Sequence, residues 1–243
     1  MSNISKMTRV AIVTGGNGNF GKYICKYLLK KNFFVYSVDL TFSKIKSKNF
    51  KSIILDIRNE SDLKIFFKKI DKIDLLINNA GIGVFTPTLK RTVKEFKDVL
   101  DINLLGNFLM SQKSLKIMKR NKSGKIINIG SIYGIKSSDP RIYGKSGRNN
   151  SEVYSVSKAG VIMLTKYLAA HFGSFNIQIN CISPGGIYAN QNYNFVKKYK
   201  SKVPVGRMAS LNDFDSVIDF LIDEKNIYTN GANIVIDGGF TAW

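Results

Sequence analysis

Short apolar runs alternate along the chain with stretches whose apolar residues recur at helical spacing. The first run covers residues 9–13 and ends at glycines, and residues 20–31 then carry Ile24, Tyr27 and Leu28 on one helical face. Apolar runs bounded by glycine are typical of strands buried in a parallel sheet. The same patterns predict strands over 33–40, 52–55, 73–77, 125–129, 177–182 and 232–236, and helices over 61–70, 92–101, 103–120, 153–172 and 212–222.

This alternation predicts a single α/β domain over residues 1–243. Strands and helices that follow one another with short connections form a parallel sheet covered on both faces, so we expect a Rossmann-like, doubly wound, three-layer αβα fold of about seven strands. Two segments are longer than the alternation needs, 132–151 and 184–210. Both follow strands at their carboxyl ends, where ligands bind in such sheets. We expect an irregular, polar insertion near the substrate in the first and a lid-like loop in the second.

Composition excludes several classes of site. Among the 243 residues, two cysteines and one histidine rule out a disulfide scaffold and a Cys- or His-rich metal site, so we predict no metal. Lys+Arg is 37 against Asp+Glu 17, a net charge of +20, yet only seven of the basic residues are arginine, the better reader of bases and phosphates. A lysine-rich coding bias explains this charge without a nucleic-acid partner. A basic surface for an anionic substrate stays open.

The chain also lacks the apolar segments of membrane and secreted proteins. No apolar run reaches the roughly 18 residues of a membrane span. The first six residues lack the apolar run of a signal peptide. We therefore expect a cytoplasmic protein with no membrane partner and with Cys25 and Cys181 as reduced thiols.

A glycine-rich turn between the first strand and the first helix predicts a dinucleotide site. The segment 14–21 reads Thr-Gly-Gly-Asn-Gly-Asn-Phe-Gly, and its glycines let the backbone approach a pyrophosphate at the helix N-terminus. Asp39 ends the second strand, where a carboxylate can accept hydrogen bonds from ribose hydroxyls and repel a 2′-phosphate. This favours NAD over NADP. Lys44, Lys46 and Lys48 lie close enough in sequence to leave NADP open.

A tyrosine and a lysine one helical turn apart are the candidate catalytic pair. The chain contains three such pairs, Tyr27/Lys31, Tyr154/Lys158 and Tyr193/Lys197. Only Tyr154/Lys158 begins the helix after the fifth strand, downstream of Ser131 at the end of that strand. We read the other two as surface pairs.

The chemistry of this pair suits proton transfer to or from an alcohol. A phenol has an ordinary pKa near 10, and an adjacent ammonium or an oxidised nicotinamide favours the phenolate. Tyr154 would then take the proton of an alcohol, or return it during reduction. We expect Ser131 to hydrogen-bond the substrate oxygen and Asn103 to hold a water that links Lys158 to solvent.

In order and spacing these motifs resemble the short-chain dehydrogenase/reductase family. The resemblance covers about residues 10–239 and also includes Asn78 to Gly81, Pro184-Gly185 and Asp237-Gly238-Gly239. It implies Asn103, Ser131, Tyr154 and Lys158 as the catalytic set and a homo-oligomer, dimeric or tetrameric. The implied cofactor-binding residues are Gly15, Asn17, Asn19, Phe20, Gly21, Asp39, Leu40, Asp56, Ile57, Asn79, Ala80, Gly81, Tyr154, Lys158, Pro184, Gly185 and Ile187.

The sequence departs from the family pattern at three places that bear on the site. Ala189 stands where the family has a threonine shortly after the Pro-Gly, so we expect one pyrophosphate contact to be missing. Asn19 stands where the family has its second glycine, and we expect the turn to survive because asparagine tolerates positive φ. The spacing from Ser131 to Tyr154 is longer than usual because residues 136–151 carry an insertion, which we expect to shape the substrate pocket.

Shorter strings around Ser131, Tyr143 and Gln191 are similar to bacterial oxidoreductases of flagellin modification and nonulosonic, legionaminic-type sugar synthesis. This implies a polar, sugar-derived substrate, with Tyr133, Tyr143 and Gln191 as candidate contacts. The alternative within enzymes is a 3-oxoacyl-thioester reductase. The alternative from another class is a non-catalytic dinucleotide-sensing or nucleic-acid-binding protein on the same fold.

Overall fold

The computed structural model describes residues 8–144 and 149–243. The first six residues, from which we argued the absence of a signal peptide, lie outside the described residues. So do residues 145–148 of the insertion.

Seven strands form one parallel sheet, as the alternation predicts. The strands are β1 (Arg9–Thr14), β2 (Phe33–Asp39), β3 (Phe50–Ile54), β4 (Leu75–Asn78), β5 (Gly124–Ile129), β6 (Ile177–Pro184) and β7 (Asn233–Ile236). Their order across the sheet is β3-β2-β1-β4-β5-β6-β7, and every neighbouring pair is parallel. The order reverses between β1 and β4, and such a switch point opens a crevice at the carboxyl ends of the strands.

Helices cover both faces of this sheet. They are α1 (Asn19–Lys30), α2 (Glu60–Phe67), α3 (Val93–Leu100), α4 (Asn107–Asn121), α5 (Glu152–Phe172), α6 (Tyr193–Lys200) and α7 (Asp215–Ile222). Leu28 of α1 and Leu221 of α7 are buried in the apolar cluster of one face. Leu63 of α2, Met110 of α4 and Leu168 of α5 belong to the cluster of the other face. The doubly wound, three-layer arrangement is confirmed.

The two helices predicted over 92–101 and 103–120 are one continuous helical run. A π-helical segment, Asp101–Gly106, joins α3 to α4 without a break. Its last residue packs tightly against Ile57, because a Cβ at Gly106 would lie 2.5 Å from the Ile57 Cδ1. A π turn inside an α-helix often marks a functional position, and this one contains Asn103.

The described parts of the insertion and the lid contain more regular structure than the sequence predicts. The insertion contains two short 3₁₀ turns, Ile132–Gly134 and Pro140–Tyr143, and the lid contains helix α6. The sequence analysis treated both segments as loops and did not take their apolar residues into account. These residues stabilise the two segments because they pack together in a third apolar cluster. Its members are Ile132, Ile142, Tyr199, Val203, Met208 and Phe240, with Tyr133, Tyr143, Phe195 and Val196 packed against them.

Charged contacts join the insertion to the lid as well. Lys202, just after α6, forms an ion pair with Asp139 at 3.3 Å. The Nζ of Lys198 donates a hydrogen bond to the carbonyl oxygen of Arg141. The two segments therefore pack as one unit over the carboxyl end of the sheet. Among the helices of the described residues, none is long and apolar enough to cross a membrane.

Candidate active site

The glycine-rich turn leaves space at the N-terminus of α1. Gly15 has φ of +61°, and a Cβ there would lie 2.8 Å from the Ala80 Cα. A Cβ at Gly21 would lie 2.0 Å from the carbonyl oxygen of Gly15, whereas one at Gly18 would meet nothing closer than 3.4 Å. Packing therefore requires glycine at positions 15 and 21, whereas the space around Gly18 is open. Such a cradle fits a pyrophosphate.

Asn19 does not act as the sequence predicts. It is the first residue of α1, with its N-cap at Gly18, and it is not among the residues with positive φ. The turn needs positive φ at Gly15 and not at position 19, so the replacement of glycine by asparagine does not strain the backbone. Phe20, next along the helix, packs on Phe214 with ring centroids 4.9 Å apart.

The end of β4 holds this turn in place. The Thr14 hydroxyl accepts hydrogen bonds from the backbone N–H groups of Asn79 and Ala80, at 3.0 and 3.1 Å. The Asn79 side chain donates to the carbonyl oxygens of Thr14 and Gly15, both at 3.1 Å. Asn79 therefore braces the glycine-rich turn from behind.

Asp39, the last residue of β2, lies beside the glycine-rich turn. Its carboxylate accepts hydrogen bonds from the backbone N–H of Asn17 at 3.0 Å and from the backbone N–H of Thr41 at 3.2 Å. The Asn17 side chain donates in turn to the Thr41 hydroxyl. The carboxylate is thus fixed beside the glycine-rich turn, and Leu40 next to it is exposed.

Asp56 and Ile57, which follow β3 after Leu55, have partners of their own. Arg58 donates to both carboxylate oxygens of Asp56 and forms an ion pair with it at 2.7 Å, which lowers the pKa of Asp56. Ile57 is buried against Gly106 of the π segment. The side chain of Ile57 therefore anchors the α3–α4 run, a contact that the sequence did not predict.

Lys158 is a buried cation bound to the end of β5. Its Nζ donates a hydrogen bond of 2.6 Å to the carbonyl oxygen of Ile129 and lies 5.7 Å from the centre of the Tyr154 ring. Burial lowers the pKa of Lys158 from 10.5 to about 8. A Cβ at Gly81 would lie 3.6 Å from this Nζ, so glycine there leaves room beside the ammonium.

The pKa of Tyr154 depends mainly on its burial. Its pKa is raised above the ordinary value, mainly because burial disfavours the phenolate, although a hydrogen bond with Ser131 acts in the opposite direction. In the protein alone, burial therefore outweighs the interactions that favour the phenolate. The effect of the adjacent ammonium on the phenolate stays a prediction.

The Asn103 side chain links the π segment to the residues around Tyr154. Its Nδ2 donates to the Ile82 carbonyl oxygen and to the Ser157 hydroxyl, both at 3.0 Å, and its Oδ1 accepts from the Ile82 N–H at 2.8 Å. Ser157 then donates to the carbonyl oxygen of Tyr154 at 2.7 Å. Both hydrogens of Nδ2 are donated to protein acceptors. A water could therefore hydrogen-bond to Asn103 only at Oδ1 or at its backbone.

Tyr199 of the lid is a site residue that the sequence analysis missed. Pro184 ends β6, and the Gly185 N–H after it donates to Ile236 of β7 at 2.8 Å. The Gly186 N–H donates to the Tyr199 hydroxyl, and the Tyr199 ring stacks on Phe240 at 4.9 Å. The spacing of Phe195 and Tyr199 at i and i+4 was the available signal. Tyr199 ties α6 to the end of the sheet.

The three candidate substrate contacts differ in what they touch. The Tyr133 and Tyr143 hydroxyls lie 3.5 Å apart, and burial raises the pKa of Tyr133. Both rings pack against the third apolar cluster, which joins the insertion to the lid. The Gln191 amide, in contrast, bonds its own loop: it accepts from the Ala189 N–H at 2.7 Å and donates to the Ile187 carbonyl oxygen at 2.8 Å.

Removing the amine of Lys158 should change how stability depends on pH. The folded protein releases the Lys158 proton near pH 8, whereas the unfolded chain keeps it to about 10.5. The unfolded state therefore binds more protons between these values, and the wild type gains stability relative to Lys158→Met, by about 1 kcal/mol per pH unit. Urea unfolding at pH 7.5, 9 and 10 measures this.

Lys31→Met is the matched control. Asp219 raises the pKa of Lys31, so its contribution is lost only above 10.5, and its difference from wild type stays constant between pH 8 and 10. A constant difference for Lys158→Met too would contradict the lowered pKa of Lys158.

Comparisons with known proteins identify the family of this chain. A family model described as short chain dehydrogenase matches residues 9–200. A 3-oxoacyl-(acyl-carrier-protein) reductase of Buchnera aphidicola subsp. Schizaphis graminum is 33% identical, over 95% of this chain and 96% of the relative. A 2-dehydro-3-deoxy-D-gluconate 5-dehydrogenase of Formosa agariphila is 29% identical, over 96% of this chain and 93% of the relative.

Solved structures share the fold. A short chain dehydrogenase from Leptospira borgpetersenii with bound NAD+ has a TM-score of 0.92 and 40% identity, covering 96% of this chain and 93% of its own. The structure of ElxO with NADP bound has a TM-score of 0.84 and 26% identity, covering 98% of this chain and all of its own. The chain belongs to the short-chain dehydrogenase family of nicotinamide-dependent oxidoreductases.

Proposed function

We propose that this protein interconverts an alcohol and a ketone on a polar, sugar-derived substrate, with NAD(H) preferred over NADP(H). The observation that carries the proposal is the hydrogen-bonded group at the carboxyl end of β5. There the buried Lys158 lies beside the ring of Tyr154, and Ser131 lowers the pKa of Tyr154 against the effect of burial. Family membership favours an enzyme over a dinucleotide sensor or a nucleic-acid-binding protein.

The dinucleotide fits the residues at the switch point of the sheet. The open turn at Gly18 would take the pyrophosphate at the N-terminus of α1, and Asp39 would accept hydrogen bonds from the ribose hydroxyls. Gly81, which leaves room beside Lys158, would hold the second ribose and the nicotinamide together with Gly185 and Ile187. The cofactor, when bound, supplies or accepts the hydride.

Tyr154 is then the group that moves the proton. In reduction its hydroxyl gives a proton to the developing alkoxide, and in oxidation its phenolate takes the alcohol proton. Ser131 holds the substrate oxygen, and its hydrogen bond favours the phenolate. Lys158 stabilises the phenolate whenever it carries its own proton. Asn103 holds Ser157 and Ile82 in place and offers its remaining acceptor to water on the path from Lys158.

The insertion–lid unit supports a polar substrate of moderate size. Tyr133 and Tyr143 present neighbouring hydroxyls on aromatic rings, a combination that suits the alternating apolar and hydroxylated faces of a sugar. The sugar-acid dehydrogenase among the relatives acts on a substrate of this kind. The acyl-carrier-protein reductases among the relatives favour a 3-oxoacyl thioester as the second candidate.

We also propose that the protein forms a homo-oligomer through α4 and α5. Phe108 of α4 and Met163 and Tyr167 of α5 are large apolar side chains exposed on these helices. Contiguous apolar exposure of this kind marks interaction surfaces. Light scattering that gives the mass of a monomer would contradict this.

A substrate panel with wild type and Tyr154→Phe tests the reaction and its base. The panel contains nucleotide sugars, sugar phosphates, sugar acids and polyols with NAD+, and an acetoacetyl thioester with NADH, monitored by nicotinamide absorbance. We expect turnover of a sugar-derived compound and a loss of about 10²- to 10⁴-fold in Tyr154→Phe, because no other hydroxyl takes the proton. Wild-type turnover in Tyr154→Phe would remove Tyr154 as the base. Preference for the thioester would remove the sugar assignment alone.

The charge of Asp39 is expected to set the cofactor preference. Asp39→Asn keeps an acceptor oxygen for the Asn17 N–H but removes the charge that repels a 2′-phosphate. We expect NADPH affinity to rise about tenfold relative to NADH, measured by fluorescence titration. Asp62→Asn, in the exposed first turn of α2, is the matched control and should leave the ratio unchanged. Equal affinities of the wild type for both cofactors would contradict the preference.

A further inference from the structure

The loop after β4 reaches the catalytic helix through a buried arginine. The side chain of Arg91 is 5% exposed, and its Nε donates a hydrogen bond of 2.9 Å to the Oε1 of Glu152. Its Nη2 donates to the carbonyl oxygen of Thr86 in the same loop. The guanidinium therefore bridges two segments that lie 61 residues apart in the chain.

Both ends of this bridge are braced. Thr88 donates to the second carboxylate oxygen of Glu152, also at 2.9 Å. Thr86 donates to Glu95, which forms the capping box of α3 with Thr92. Glu152 is thus held at both oxygens by a loop that is itself fixed to the start of α3.

Glu152 lies in the first turn of α5, which orients the Tyr154 side chain. It is the first residue of α5, and Tyr154 is the third. The preceding residue, Ser151, caps the helix by accepting a hydrogen bond from the Tyr154 N–H at 3.3 Å. The loop that carries Arg91 also passes close to the Tyr154 ring, because a Cβ added at Gly83 would lie 3.8 Å from the Tyr154 Cδ2. A shift of this turn would move the Tyr154 hydroxyl.

The arginine is not arranged for the greatest stability. Within the part of the chain that the structure describes, its Nη1 is buried without a hydrogen-bond partner. A buried donor without an acceptor is unfavourable, and a buried ion pair is often no more stabilising than an apolar pair of similar volume. The role of Arg91 is therefore better explained by the position it gives to the first turn of α5 than by a contribution to stability.

We propose that Arg91 is a positioning residue that acts through Glu152 to fix the first turn of α5 and so the Tyr154 hydroxyl. The inference rests on the proposed function of Tyr154. Arg91 does not reach the reacting atoms in this scheme, because its two bonded nitrogens are directed at Glu152 and Thr86.

The test compares Arg91→Met and Glu152→Gln with a matched arginine at the other end of the sheet. Arg9 also joins separate elements, since its guanidinium donates to the carbonyl oxygens of Lys31 and Ile222. It is the first residue of β1 and therefore lies at the amino end of the strands, opposite the site. Arg9→Met should lower thermal stability and leave the site unchanged. Methionine keeps the apolar length of the arginine stem in both variants.

The first readout needs no substrate. In protein labelled with ¹³Cζ-tyrosine, the Tyr154 signal is assigned by its absence in Tyr154→Phe. We expect Arg91→Met and Glu152→Gln to shift this signal, Arg91→Lys to shift it less, and Arg9→Met to leave it in place. An unmoved Tyr154 signal in folded Glu152→Gln and Arg91→Lys would overturn the proposal, even if Arg91→Met did not fold.

The second readout is kinetic and uses whichever compound the wild type turns over. We expect kcat to fall at least about tenfold in Arg91→Met, as misplacement of a reacting group does, while NADH affinity stays within about twofold. The double variant Arg91→Met/Glu152→Gln should be no slower than the slower single variant, because both act through one bridge. Additive losses, or an unchanged kcat, would overturn the proposal. Wild-type turnover in Tyr154→Phe would instead refute the proposed function.

Discussion

Lys158 carries its ammonium into the interior of the protein and bonds it to the carbonyl oxygen of Ile129, the last residue of β5. A buried charge is unfavourable unless it is well paired, and here the pKa of Lys158 falls to about 8. The same burial raises the pKa of Tyr154. Without further charge, the site therefore rests with a protonated phenol beside a lysine that releases its proton readily. Positive charge brought to this pocket is expected to have a large effect on both groups, because charges are poorly screened in a buried environment.

The sheet topology is what brings the participating groups to this lysine. Four neighbouring strands deliver their carboxyl ends to one crevice: β1 with the glycine-rich turn, β4 with Asn79 to Gly81, β5 with Ser131, and β6 with Pro184 and Gly185. The α3–α4 run adds Asn103, and α5 adds Tyr154 and Lys158. The insertion and the lid pack on each other over this crevice through aromatic rings and the Asp139–Lys202 pair. Rigid elements hold the reacting groups, and the variable segments cover them.

Much of this could be predicted from the sequence, because it depends on local patterns. All seven strands follow from short apolar runs, and the glycine-rich turn and the Tyr154/Lys158 pair follow from spacing within one turn or helix. The π segment could not be predicted, since its helical pattern continues through 101–106 and only the contact of Ile57 with Gly106 distinguishes it. Helix α6 was hidden because its buried side, Phe195 and Tyr199, packs on residues distant in sequence. The bridge from Arg91 to Glu152 and the direction of the Tyr154 pKa depend on three-dimensional burial, which spacing does not report.

The central claim is that burial keeps Tyr154 protonated until positive charge enters the site. The most direct measurement is a pH titration of the ¹³Cζ signal of Tyr154, first in the protein alone and then with saturating NAD+. We predict a pKa above the ordinary value of about 10 in the protein alone and a clearly lower one with NAD+. A pKa below 10 in the protein alone, or the same pKa in both conditions, would contradict it.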